Sequence, residues 1–143
     1  MERVISFDVG QKTLGIAISD VLGITVRGLE TYRFADYDYD QAVKRAIEIL
    51  ERENVNKIII GLPLNMNGSE SSMSKKVLIF KEKLKKIRPL LDIIMVDERL
   101  STVAAQRNLI EMNLKTKKRK KIIDMEAAAI ILEMYLEKIK NNK

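Results

Sequence analysis

Apolar residues run almost unbroken through VISFDV, stop at GQKT and resume as LGIAIS. Two short apolar runs joined by a tight polar turn predict a β-hairpin, with strands over 4–9 and 14–19 and Val9 opposite Leu14. In the second run Leu14, Ile16 and Ile18 alternate with Gly15, Ala17 and Ser19, one face large and the other small. A third strand is expected from Ile24 to about Tyr32. After the acidic FADYDYD, residues Ala42, Val43, Ala46, Ile47 and Leu50 recur at helical spacing, with Asp40 as the expected cap. KIIIGLPL suits a buried parallel strand, and the polar NMNGSESS ends it. A basic helix over 72–87 follows, stopped by Pro89, and IIMVDERL reads as a fifth strand. Ser101 or Thr102 is expected to cap a helix to about Met112, a lysine-rich linker to cover 114–121, and a last amphipathic helix to run over 123–138. A hairpin followed by strands alternating with helices predicts an α/β fold, a central mixed five-stranded sheet flanked by helices. With 143 residues, no repeat and no composition break, one domain is expected.

The residue types that are missing narrow the chemistry. The chain has no cysteine and no histidine, which excludes thiolate and imidazole metal sites, disulfides and any triad with a histidine base. Acid–base work would fall to carboxylates, lysines, tyrosines or metal-bound water. A formal charge of +6 favours polyanionic partners, of which nucleic acid is the commonest inside cells. The first residues, MERVISFDVG, do not resemble a signal peptide, and no apolar stretch approaches a membrane span, so a cytoplasmic protein is expected.

Against that background acids at three places stand out. Asp8 interrupts an apolar strand, where an ionised carboxylate is costly unless a cation or hydrogen bonds compensate it. In the hairpin register it lies opposite Gly15, and a glycine within a strand often marks close approach by a ligand or another backbone. Its bland alternative is hydrogen bonding to the Gly10 turn. Asp97 and Glu98 follow IIMV at a strand's carboxyl end, where open α/β sheets place ligand sites; alternation lets only one of them share a given face. Asp124 falls on the mostly apolar stripe of the last helix with Ala127, Ala128, Ile131 and Tyr135, while Glu126, Glu133 and Glu137 fall elsewhere. An acid near a helix start is also explained by the helix dipole alone. Taken together, the acids suit magnesium or manganese, and two such ions about 3.5–4 Å apart can activate water and stabilise the leaving oxygen in phosphodiester cleavage.

Basic residues are concentrated in two places. Lys115, Lys117, Lys118, Arg119, Lys120 and Lys121 precede Asp124 with no acid among them, and residues 75–88 carry seven basic side chains against one glutamate. The first run is the expected phosphate contact, by Lys117, Lys118, Arg119 and Lys120, and is expected to be a mobile loop without nucleic acid.

Three stretches, FDVGQKTLGIAISD, GLPLNMNGS followed by VDERLSTVAAQ, and KKRKKIIDMEAAAIILEMYL, resemble in order the YqgF family, also called RuvX, of resolvase-like nucleases with the ribonuclease H fold. The resemblance implies that Asp8, Glu98 and Asp124 converge as a metal-binding catalytic site, and that Arg99 and the loop 65–69, with Asn65, Asn67 and Ser69, face the substrate. It implies a nuclease maturing the 5′ end of pre-16S ribosomal RNA, with Holliday-junction resolution as the alternative; partners would be structured RNA or branched DNA. The chain departs from the family in carrying Ser71, Ser72, Met73 and Ser74 where a glycine, proline and arginine are usual, and related resolvases take their second acid from the strand that here reads IIIGLPL, which has none. A monomer would serve to trim an RNA end, and a dimer to make paired nicks. A non-catalytic nucleic-acid-binding protein is the alternative from another class. DVGQKTLG also looks like the first phosphate loop of actin-like ATPases, but those need two such domains and the chain is too short for them.

Overall fold

The computed structural model describes residues 2–100 and 117–141, including the side chains of 2–99 and 125–141. The order is β1 (Ile5–Val9), β2 (Thr13–Ser19), β3 (Val26–Arg33), α1 (Tyr39–Glu53), β4 (Lys57–Leu62), α2 (Ser72–Ile87), β5 (Asp92–Asp97), a 3-10 turn (Glu98–Leu100) and α3 (Lys117–Asn141). The expected helix from Ser101 or Thr102 to Met112, and the linker's first residues, lie outside the described residues.

The five strands form one sheet in the order β3-β2-β1-β4-β5. β1, β2 and β3 pair antiparallel, whereas β4 and β5 run parallel to β1, so the carboxyl ends of β1, β4 and β5 share one pole. The hairpin register is the expected one, Val9 opposite Leu14 and Asp8 opposite Gly15, closed by a bond from Gly10 N–H to the Thr13 carbonyl of 2.8 Å.

One side of the sheet is filled by large residues. Ile5, Phe7, Leu14, Ile16, Ile58 and Ile60 pack against Val43 and Ile49 of α1 and Val77, Phe80 and Leu84 of α2. The Phe7 and Phe80 rings meet edge-on at 5.9 Å. The other side is covered by α3, where Val4, Ala17 and Ile59 meet Ala127, Ala128, Ile131 and Leu132. The stripe read from the sequence is therefore the packed one, and Glu126, Glu133 and Glu137 are exposed.

Among the boundaries that differ from expectation, β3 starts at Val26 and β5 ends at Asp97, where a 3-10 turn takes over; two others concern helices. The cap of α1 is Asp38, whose carboxylate accepts from Gln41 N–H; Asp40 lies in the first turn, because Tyr39 is already helical and buried against Phe34. The last helix begins at Lys117, so 117–121 is helix and not linker. Lysine and arginine are good helix formers, the run contains neither glycine nor proline, and packing of the following stripe holds the helix despite like-charge repulsion.

Candidate active site

Strand alternation decides which acids meet. On β1 the large side chains Ile5, Phe7 and Val9 face α1 and α2, which turns Ser6 and Asp8 toward the α3 side. Both are buried, Asp8 to 5% exposure, and Ser6 Oγ has no hydrogen-bond partner among the described residues. On β5, Ile93 and Met95 join the large-residue core and Ile94 and Val96 join the α3 cluster. Glu98 continues the second set and Asp97 the first.

The two neighbouring acids accordingly behave differently. Asp97 Oδ2 accepts from Arg99 Nε at 3.0 Å and Nη2 at 2.8 Å, and its Oδ1 accepts from the Arg99 backbone N–H at 2.9 Å. Chiefly through the side-chain bond, Arg99 holds the Asp97 carboxyl below the usual carboxylate range; the same bond raises the guanidinium. Glu98 is instead 6% exposed, and its carboxylate lies over β4 at Gly61. A methyl group there would collide with Glu98 Oε1, come within 3.1 Å of its Cδ, and lie 2.7 Å from Ile131 Cδ1. The strand IIIGLPL contributes no acid of its own, but its glycine leaves the place into which the Glu98 carboxylate reaches. Continuing the pairing of Ser6 with Ile59 and Phe7 with Ile60 by one step brings Asp8 beside Gly61. Asp8 thus stands between two strand positions without side chains, Gly15 and Gly61. Asp124 lies in α3 one turn before Ala127 and Ala128; its side chain is outside the described residues, as are those of Lys117, Lys118, Arg119 and Lys120.

The loop after β4 sits at the same pole. Asn65 Nδ2 donates to Ser69 Oγ at 3.0 Å, and Asn67 Oδ1 accepts from Ser69 N–H at 2.9 Å and from Ser69 Oγ at 2.6 Å. These three exposed side chains first of all shape their own loop. Arg99 ties it down through a bond from Nη1 to the Met66 carbonyl of 3.2 Å, so each of its guanidinium nitrogens has a protein acceptor. The serines that replace the expected glycine, proline and arginine have a structural use: Ser71 Oγ accepts from Ser74 N–H and Ser74 Oγ from Ser71 N–H, a reciprocal cap on α2.

The turn after Asp8 is pinned from outside the sheet. Tyr39 hydroxyl donates to the Gly10 carbonyl at 3.1 Å, and burial, assisted by Tyr37 and Asp36, pushes its pKa up to about 12, which keeps it a donor. Neither Gly61 nor Tyr39 emerges from the sequence reading. Gly61 carried the same signal as Gly15, a glycine within an apolar strand.

Chemically, the pole offers two buried carboxylates on one face, a helix carrying a third acid over that face, and small residues around them. The donor set is all oxygen, which fits a hard divalent cation. Among the described residues no three acids form a ready cluster, and Asp124 is not among the side chains described.

The RuvX family model, described as Holliday junction resolvase, matches residues 2–138. A protein of Staphylococcus saprophyticus named "Putative pre-16S rRNA nuclease" is 45% identical over 137 residues, 96% of each chain. Among solved structures, Thermus thermophilus RuvC in complex with a Holliday junction superposes with a TM-score of 0.63 at 14% identity, covering 99% of this chain and 97% of that one. The Fowlpox virus Holliday junction resolvase gives 0.52 at 18%, covering 96% and 99%. The fold is that of these resolvases, ribonuclease H-like. On the family match over nearly its whole length, the chain belongs to the RuvX family.

Proposed function

We propose that the protein is a metal-dependent nuclease that processes the 5′ end of pre-16S ribosomal RNA in the cytoplasm. The observation that carries this reading is the burial of Asp8 and Glu98 on one face, between strand positions emptied by Gly15 and Gly61. Two carboxylates held on one face repel each other, and a bound cation would offset that repulsion. Asp8, Glu98 and Asp124 would hold Mg2+ or Mn2+, which when bound supplies charge for the developing phosphoryl oxygens and lowers the pKa of a water nucleophile. The chain's own residues do the rest. Gly61 and Ile131 confine the Glu98 carboxylate, Arg99 fixes the 65–69 loop at the rim, and the basic residues at the start of α3 bring the phosphate backbone toward Asp124.

The substrate follows from the relatives: proteins 45% and 42% identical over 96% of the chain carry the pre-16S nuclease name. The likeness to a resolvase solved on a Holliday junction supports a second reading, junction cleavage. The test is to incubate the pure protein with Mg2+ or Mn2+ and either precursor ribosomal RNA or four-way junction DNA. Metal-dependent shortening of the RNA 5′ end by a monomer supports the first reading; paired nicks in the junction by a dimer replace it with the second. Binding without cleavage, and without a rise in melting temperature on adding metal, would leave only a nucleic-acid-binding protein. Replacing Lys117, Lys118, Arg119 and Lys120 with alanine should flatten the slope of log affinity against log salt, by about 0.7 unit per lost single-strand contact.

A further inference from the structure

Beside the acid pole stands a tyrosine whose backbone is costly and whose ring contributes little to the core. Tyr37 has φ of 58°, one of two non-glycine residues with positive φ among those described, the other being the helix-ending Asn54. Asparagine adopts that region readily; a bulky aromatic residue does so only when something else holds it there. Burial is not the reason, since Tyr37 is 46% exposed. Its N–H donates to the Gln11 carbonyl at 2.9 Å, which sets it against the turn that follows Asp8. Its ring meets that of Tyr39 at 6.4 Å and 62°, and the Lys76 ammonium lies over it, 4.9 Å from the centroid. An outward aromatic ring, hydrogen-bonded through its backbone and with a lysine ammonium over its face, is an arrangement with which proteins receive an unpaired base and its phosphate.

We infer that Tyr37 is a stacking platform for an unpaired base of the substrate strand, with Lys76 moving from the ring to the adjoining phosphate. The inference rests on the nuclease reading and deepens it: a strand crossing the pole would have one single-stranded nucleotide fixed beside the β1–β2 turn. Such a platform selects single-stranded segments over continuous duplex, because only an unpaired base presents a free face to the ring.

The test compares binding of a single-stranded RNA carrying 2-aminopurine with binding of its fully paired duplex, for the wild type and for Tyr37→Asn, Tyr37→Phe and Lys76→Ala. In the wild type the probe's emission should be quenched on binding as single strand. Tyr37→Asn suits the local backbone and should fold normally. It should weaken single-strand binding about 5- to 150-fold, the range for loss of one base–aromatic stack, and abolish the quench. Duplex binding and the salt slope should be unchanged. Tyr37→Phe should behave as the wild type, and Lys76→Ala should lower the salt slope by about 0.7 unit. An unquenched probe in the wild type, or Tyr37→Asn with unaltered single-strand affinity, overturns the platform. If either result accompanies metal-dependent cleavage by the wild type, the platform falls and the nuclease reading stands. If the wild type neither binds nor cleaves nucleic acid, both fall.

Discussion

The two sides of the sheet differ in what their side chains leave behind. Against α1 and α2 the strands present Ile5, Phe7, Ile16, Ile58 and Ile60, and Phe80 and Leu84 close over them with no exposure. Against α3 they present Ser6, Asp8, Gly15, Ala17 and Gly61, and the helix answers with Ala127 and Ala128. The first side carries most of the large buried side chains and hence most of the stabilisation, at roughly 25 cal/mol per Å² of apolar surface. The second accepts a thinner core, and in that space the buried carboxylates lie. A sheet can specialise its faces in this way because side chains alternate strictly, so a change on one side leaves the other side's contacts in place.

The largest effect should come from emptying the thick side. Phe80→Ala removes a fully buried ring and its contact with Phe7, and should cost about 3–5 kcal/mol. Denaturant melts measure it; a loss below about 1 kcal/mol would mean that this side is not where the stability resides.

Asp8→Asn should do the reverse. It should lower metal-dependent cleavage at least about 100-fold, since changing even the outer partners of a metal site costs about 10–100-fold, while leaving the melting temperature without metal unchanged or higher. Removing one of the negative charges gathered on that face relieves repulsion. A variant that loses stability without metal would mark Asp8 as structural.

Gly61→Ala sharpens the comparison by filling the thin side. The added methyl must displace Glu98 or Ile131, at about 1–3 kcal/mol for an overpacked site, with cleavage falling along with stability. Val77→Ala on the opposite side should lower stability but spare cleavage at temperatures where the protein stays folded. Equal cleavage in Gly61→Ala and the wild type would show that Glu98 need not lie over Gly61.

The smallest effect belongs to the rim. Asp97 has a lowered pKa in the folded protein, so its pairing with Arg99 stabilises fully above the unfolded value of about 3.9 and is lost as pH falls through the folded value. Asp97 is 34% and Arg99 26% exposed, and solvent screening keeps the contribution small. Asp97→Asn should remove that acid-range dependence and loosen the 65–69 loop, which amide exchange at Gly68 and Ser69 would report.

Local pattern was enough for much of this molecule. The five strands, the Asp8–Gly15 register, helices α1 and α2 and the packed stripe of α3 follow from the period of apolar residues, because a two-residue or 3.6-residue repeat is a property of neighbours in the chain. The same reasoning stopped at Asp97 and Glu98. Strand alternation says that they diverge, but which one turns toward Asp8 depends on which face of β5 the other elements cover. It also stopped at residues 117–121, read as a linker from their charge. Local repulsion argued against helix there, and the packing of residues further along α3 outweighed it. Gly61 became meaningful only with a carboxylate from another strand above it, and Tyr37 only with Gln11, Tyr39 and Lys76 around it. The sequence by itself determined the elements and the chemistry at their disposal. The tertiary structure decided which carboxylate shares a face with which, because that is set by contacts between residues far apart in the chain, and no local repeat encodes them.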